Sequence, residues 1–221
     1  MAKRFDPELI PPYPTLDFEK AQWQQGCQTV AGLDEAGRGA LAGPLYAAAV
    51  VLPFDDPDLE KELLGVRDSK QMTPFAREKM APIIRSVAVD FAVVFVEAVE
   101  IDSLGMAKAG RLVFQRAISA LKQPPTYLLI DYFKLPEVKI SQTSLVKGDQ
   151  RCLSIACASV LAKQARDLYM LEVSAEYPGY HFAENKGYGS PEHLQVIDEL
   201  GLCPLHRHSF CDHLLQGRLF D

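Results

Sequence analysis

Between residues 29 and 52 the chain reads TVAGLDEAGRGALAGPLYAAAVVL, two apolar stretches separated by glycine and proline. Residues 29–35 and 45–52 each have the length and composition of a strand, and the punctuation between them suits a hairpin. A strand pair this apolar has to be covered, so the rest of the chain must supply packing partners. The first stretch also ends oddly. Two adjacent carboxylates, Asp34 and Glu35, stand where a buried strand should stop, and Gly37, Arg38 and Gly39 follow at once.

Downstream, the signals alternate. Thr73 and Pro74 read as the N-cap and first residue of a helix running toward Arg85. VAVDFAVVFVEAV, residues 87–99, is rich in β-branched and aromatic residues and reads as a third strand. Residues 101–121 have helical periodicity, YLLID at 127–131 is a short apolar strand, and a long helix is expected over about 153–176. Ser190 and Pro191 repeat the cap-and-proline signal for a helix ending at Leu200. Strands in succession, then strand and helix in alternation, imply an α/β domain: a mixed sheet with helices on its faces. Residues 1–27, with PPYP, read as an irregular lead-in, and residues from about 180 onward as a small helical or irregular appendage.

Composition narrows the function classes. The chain has 221 residues, 48% hydrophobic and 24% charged, which suits one globular domain with a true core. Its longest apolar stretch, about 41–53, falls short of the ~20 residues that cross a bilayer. The N-terminus has no apolar signal region. Five cysteines, Cys27, Cys152, Cys157, Cys203 and Cys211, are an odd number without a framework, as in a reducing compartment. The expectation is a cytoplasmic protein and, with nothing pointing to an obligate dimer, a monomer. A net charge of −6 argues against a general nucleic-acid binder. The stretch 147–170 nevertheless sets Lys147, Arg151, Lys163 and Arg166 against only Asp149 and Asp167.

Four acids sit at strand ends and turns: Asp34, Glu35, Asp131 after YLLI, and Asp149 in LVKGDQR. A strand-terminal acid in an α/β sheet lies at the edge where ligands bind. Clustered carboxylates repel and take up protons unless a cation neutralises them, and all-oxygen ligands select hard ions such as Mg²⁺ or Mn²⁺. Two such ions roughly 3.5–4 Å apart clamp the attacking and leaving oxygens of a phosphodiester displacement. From the residues alone, caps and turns remain an equal reading of the same acids.

GLDEAGRGALAGPLYAAAVVLP (32–53), DSK (68–70) and KGDQRCLSIACASVLAKQARDLYM (147–170) resemble successive signatures of the ribonuclease HII family. YPGYHFAENKGYGSPEH (177–193) and HRHSF (206–210) continue the series in order, so the resemblance spans roughly 28–211. It implies the ribonuclease H-like fold, a five-stranded mixed sheet flanked by helices with a small C-terminal helical extension. The division that follows is a lead-in at 1–27, a catalytic domain at 28–178, the extension at 179–215 and a tail at 216–221. The implied activity is endonucleolytic, on the RNA strand of RNA–DNA hybrids and 5′ of ribonucleotides embedded in duplex DNA. It leaves 3′-hydroxyl and 5′-phosphate ends by two-metal-ion catalysis with Mg²⁺ or Mn²⁺. The family's catalytic and metal-ligating carboxylates fall on Asp34, Glu35, Asp131 and Asp149. Its substrate-binding residues fall on Gly37, Arg38 and Gly39, which grip the 2′-hydroxyl, and on Tyr188, which stacks on the deoxyribose across the junction.

Two departures stand out. The family favours glycine after the third carboxylate, where this chain has Tyr132, and alanine where it has Cys157, which reads as close helix packing. Lys70 is expected near the site, the other reading being a surface pair with Asp68; Asp167 is expected to form an ion pair, though it competes for the place of the fourth ligand. Cys203, His206, His208, Cys211 and His213 are tempting for zinc but lack paired ligand arms. GRGALAG lacks the lysine of a phosphate loop. QGRLF, residues 216–220, resembles the peptide by which bacterial polymerase partners dock on the sliding clamp, with Gln216, Leu219 and Phe220 as anchors. Two other functions stay in play: a catalytically silent nucleic-acid-binding module, and a metal-dependent DNA nuclease on the same fold.

Overall fold

A computed structural model of the chain describes residues 5–215. Where the lead-in was expected to be irregular, Asp17–Trp23 forms helix α1. Phe18 and Trp23 pack on the core, but the one fully buried residue of the helix is an acid: Glu19 accepts the Ser154 N–H at 2.7 Å. That explains why polar composition hid the helix.

The hairpin forms as its residues dictate. Strand β1 (Val30–Ala36) pairs antiparallel with β2 (Leu45–Val51), and β2 with β3 (Asp90–Val96). β4 (Tyr127–Asp131) lies parallel beside β1, and β5 (Ser141–Leu145) parallel beside β4. The order β3-β2-β1-β4-β5 makes a five-stranded mixed sheet. β2 is apolar throughout because it is covered on both sides. Leu45, Ala47, Ala49 and Val51 enter one core layer, and Ala48 and Val50 the other. β5, sequence SQTSL, escaped the sequence reading because it is a polar edge strand. The Gln142 side chain there bonds the Leu135 N–H and C=O, folding the preceding loop back on itself.

After β2 come the short α2 (Leu59–Glu62) and α3 (Pro74–Val87), the latter opened by Thr73 Oγ1 accepting the Ala76 N–H. The single helix expected over 101–121 is two, α4 (Ala98–Leu104) and α5 (Met106–Ser119), broken at Gly105. Gly105 has φ 76°, a conformation glycine adopts without steric cost. The periodicity ran through the break because Ile101, Ala109, Val113 and Ala117 share one core layer.

α6 (Leu153–Val173) crosses the opposite face, its small residues from Ser154 to Ala162 all buried. Cys157 belongs to that packing, and burial pushes its thiol up. α7 (Phe182–Asn185), α8 (Pro191–Leu200) and α9 (His208–Leu215) complete the chain. Tyr180, Phe182 and Cys203 share a core with Met170 of α6 and with Ala42, which follows β1. The C-terminal helices therefore pack on the loop that leaves the acidic strand end. Among the described residues, no helix is long and apolar enough to cross a membrane.

Candidate active site

Register places the first two acids side by side. Leu33 of β1 pairs with Ile130 of β4, so Asp34 and Asp131 follow together on neighbouring parallel strands. Asp149 arrives on the one-turn 3-10 helix Gly148–Gln150 between β5 and α6, where the Gly148 N–H donates to Asp131 Oδ1 at 2.7 Å. Glu35 is next to Asp34 in a strand, so the two project to opposite faces. Asp34 pairs with Ala48 on the α6 side, and Glu35 with Ala47 on the α5 side. Glu35 Oε1 there meets Arg38 Nη1 at 3.4 Å, while its buried Oε2 has no partner.

This edge is electrostatically uncomfortable. Asp34 is only 4% exposed. Burial, with the charges of Glu35 and Asp131, drives its carboxyl well above the carboxylate range against a smaller opposing pull from Ser159. Burial also raises Glu35 against the opposing pull of Arg38, and Asp131 against the Gly148 N–H. Asp149 is pushed to about 7 by burial and by Asp131 and Asp68. The acids thus act on one another's charge. Even so, no three His, Cys, Asp or Glu side chains among the described residues meet at ligand distance around a point. Asp34, Glu35 and Asp131 have local partners, among them the Glu35 N–H on Asp34 Oδ1 at 2.7 Å.

Sequence reasoning missed two neighbours. Asp68 is buried, accepting the Lys70 N–H at 2.9 Å and Gln150 Nε2 at 3.1 Å. Ser159, on α6, lowers the Asp34 carboxyl against its burial, and its hydroxyl donates to Ser69 Oγ at 2.9 Å. Both lie inside stretches that carry the family resemblance, yet Asp68 read as a surface partner of Lys70 and Ser159 as part of a small-residue packing run. Lys70 does lie at the edge. Burial works against its charge, yet Asp34, Asp68, Asp149 and Asp131 together hold its ammonium above the ordinary range. Asp167 points elsewhere, into ion pairs with Arg77 at 2.9 Å and Lys163 at 2.5 Å.

The Gly37–Arg38–Gly39 turn begins where β1 ends. Gly37 has φ 93°, which favours glycine, and a Cβ there would collide with the Arg166 side chain. Arg38 lies over the Phe133 ring at 5.4 Å, and Gly39 has open space beside it. The C-terminal segment closes on this turn: Leu41 and Ala42 N–H both donate to Gly187 O, and the Arg207 N–H to Leu41 O. Tyr188, next to Gly187, is half-buried, its ring 5.1 Å from the Arg166 guanidinium and 5.5 Å from Lys163 Nζ. Turn and tyrosine therefore stand beside one another, although some 150 residues separate them in sequence.

The zinc candidates do not assemble. His206 Nδ1 accepts the Cys203 N–H at 2.9 Å, its Nε2 faces His193 Nε2 at 3.1 Å, and Cys211 Sγ points at Leu41 O. The His213 side chain and the tail residues Gln216, Leu219 and Phe220 lie outside the described residues.

Comparison with known proteins identifies the family and the fold. A model of the Ribonuclease HII family matches residues 31–213. A Ribonuclease HII of Dehalococcoides mccartyi is 48% identical over 193 residues, covering 87% of this chain and 90% of the relative. Among solved structures, the ribonuclease H2 of Pyrococcus horikoshii superposes with a TM-score of 0.75 at 24% identity, covering 87% of this chain and all of that one. A PCNA:RNase HII complex from Archaeoglobus fulgidus gives 0.69 at 24% identity, over 81% of this chain and 93% of that one. The chain belongs to the ribonuclease HII family, metal-dependent endoribonucleases that act on RNA–DNA hybrids.

Proposed function

We propose that Asp34, Glu35, Asp131 and Asp149 hold two divalent ions, Mg²⁺ or Mn²⁺, and that the enzyme cuts 5′ of the ribonucleotide at an RNA–DNA junction. The observation that carries this reading is four carboxylates on one sheet edge, all raised by burial, with Glu35 Oε2 buried and unpartnered. The donors are all oxygen, as hard cations require.

When bound, the ions supply Lewis-acid stabilisation of charge on the phosphate and lower the pKa of water. The chain does the rest by placement. Lys70 brings an ammonium to the same edge for a phosphate oxygen. The Gly37–Arg38–Gly39 backbone, free of side chains at two of three positions, approaches the ribose and reads its 2′-hydroxyl. Arg38 engages phosphate, and Tyr188 stacks on the deoxyribose next to the junction. The acids themselves form no covalent intermediate in this account.

The test is a duplex DNA carrying one ribonucleotide, incubated with and without Mg²⁺ or Mn²⁺, with product ends mapped. Cleavage 5′ of the ribonucleotide, leaving a 3′-hydroxyl, only with metal and never in all-DNA duplex, is the expected result. Binding without cleavage under every metal condition would instead identify a silent module, and cutting of all-DNA duplex a DNA nuclease. The tail is proposed to dock on a sliding clamp through Gln216, Leu219 and Phe220. A clamp pull-down unchanged by deleting residues 216–221 would end that proposal.

A further inference from the structure

Arg166 is among the largest fully buried side chains of the described residues, and no carboxylate pairs with it. Its three nitrogens all donate to backbone carbonyls. Nε bonds Pro44 O at 3.0 Å, Nη2 bonds Ala42 O at 3.0 Å, and Nη1 bonds Lys186 O at 2.8 Å. Two of these carbonyls belong to the loop after β1, and the third lies two residues before Tyr188. The guanidinium also sits 5.1 Å from the Tyr188 ring centroid, and its stem fills the space that the missing Gly37 side chain leaves. One side chain therefore touches both elements assigned to the junction sugar.

A buried cation without a counter-ion is a poor way to fill a core. Replacing buried charge with apolar residues of similar volume is often neutral or stabilising. What an apolar residue cannot do is fix the spacing of three carbonyls from two distant segments. The planar fork of arginine does this, and the point charge of lysine does not.

We propose that Arg166 is a positioning residue, holding the Gly37–Arg38–Gly39 turn and Tyr188 at the separation that seats a ribose–deoxyribose junction. The proposal rests on the reading that turn and tyrosine bind that junction. Arg207 braces the turn from its other side, with Nε on Gly43 O at 2.9 Å and Nη1 on Arg38 O at 3.1 Å. Arg166 touches no reacting atom; it acts through the two elements it holds.

A double-mutant cycle separates positioning from simple structural support. Arg166→Lys and Tyr188→Ala are made singly and together, and kcat and KM are measured on duplex DNA with one ribonucleotide. Tm is recorded for each protein. Misplacement of a substrate-aligning element by ~1 Å costs up to ~100-fold in rate. Arg166→Lys is therefore expected to lower kcat by about 10–100-fold with KM within about twofold. In the Tyr188→Ala background the same change should cost at least about threefold less than in wild type, because one of the two elements it aligns is gone. Equal losses in both backgrounds, a wild-type rate, or an Arg166→Lys protein that does not fold would each overturn the proposal and leave Arg166 a structural residue. Tyr188→Ala with unchanged kcat and KM would overturn the junction reading itself, and this proposal with it.

Discussion

The two halves of the site are built on opposite electrostatic plans. At the sheet edge, the acids act on one another's charge and are raised by burial, with Asp34 and Asp131 accepting the N–H groups of Glu35 and Gly148. At the adjoining turn, Arg166 and Arg207 are buried and form no ion pair among the described residues, and carbonyls of the loop receive their N–H groups. The negative half is internally repulsive, and the positive half is tied down by backbone carbonyls. Under the proposed function, the difference teaches that recognition is pre-organised by the chain and that the chemistry depends on a bound ion.

The largest expected effect breaks the negative half. Asp34→Asn or Asp131→Asn should lower cleavage by at least ~10³-fold at saturating Mg²⁺, since a metal's charge stabilisation is worth several kcal/mol, with each ~1.4 kcal/mol a decade. The metal-free Asp34→Asn protein should melt higher, by about 2–4 °C for each ~1 kcal/mol of repulsion removed. Rate assays and calorimetry on one preparation decide both parts; full activity in either variant would refute the ligand assignment. The same contrast predicts that Mg²⁺ or Mn²⁺ at ~100 times Kd raises wild-type stability by about 2.7 kcal/mol. Asp34→Asn should lose most of that gain in a thermal-shift titration.

A smaller effect sharpens the comparison through pH. His193 and His206 lie on the positive half, with Nε2 atoms 3.1 Å apart and His193 Nδ1 at 2.8 Å from Tyr188 O. Burial, and then the neighbouring His193, depress His206 to about 4, and burial depresses His193. A folded pKa below the unfolded value of about 6.5 contributes stability that is intact above that value. It is lost as pH falls toward 4, because the unfolded chain takes up the proton first. The acids run the other way: raised in the fold, they favour it at low pH and lose that contribution as pH rises through about 7 for Asp149. Urea unfolding of wild type and His206→Asn should therefore converge between pH 6.5 and 4 by roughly 2 kcal/mol. A gap that stays constant over that window would show that the histidine pair does not titrate as its burial demands.

How legible all this was depended on whether a signal was local. The hairpin, α3, β4 and the first three acids could be read because apolar runs, a Thr-Pro cap and strand-terminal carboxylates act within a few residues. β5 and α1 could not, since one is a polar edge strand and the other is anchored by Glu19, whose partner Ser154 lies 135 residues away. The same holds for the site. Composition raised a metal edge only to an even reading; the family resemblance named the substrate and ran through the stretches holding Asp68, Ser159 and Arg166, but neither gave those three a role. Those roles come from contacts across the fold, where no spacing rule reaches.

The smallest effect concerns a residue the sequence did mark. Tyr132 follows Asp131 where the family favours glycine, and its backbone takes φ 68° while its side chain stays 69% exposed. A non-glycine residue in the left-handed region costs ~1–2 kcal/mol, partly balanced by the ~0.5–1 kcal/mol that glycine loses in unfolded-state entropy. Tyr132→Gly should thus stabilise the protein by roughly 0.5–1 kcal/mol, a rise of about 1–4 °C in Tm. The turn is fixed independently of the side chain: the Tyr132 N–H bonds Leu145 O, and the Phe133 N–H bonds Asp131 O, both at 2.9 Å. A melting temperature that falls instead would show that the exposed ring makes a contribution larger than the strain it carries. The acidic edge would then owe part of its placement to Tyr132.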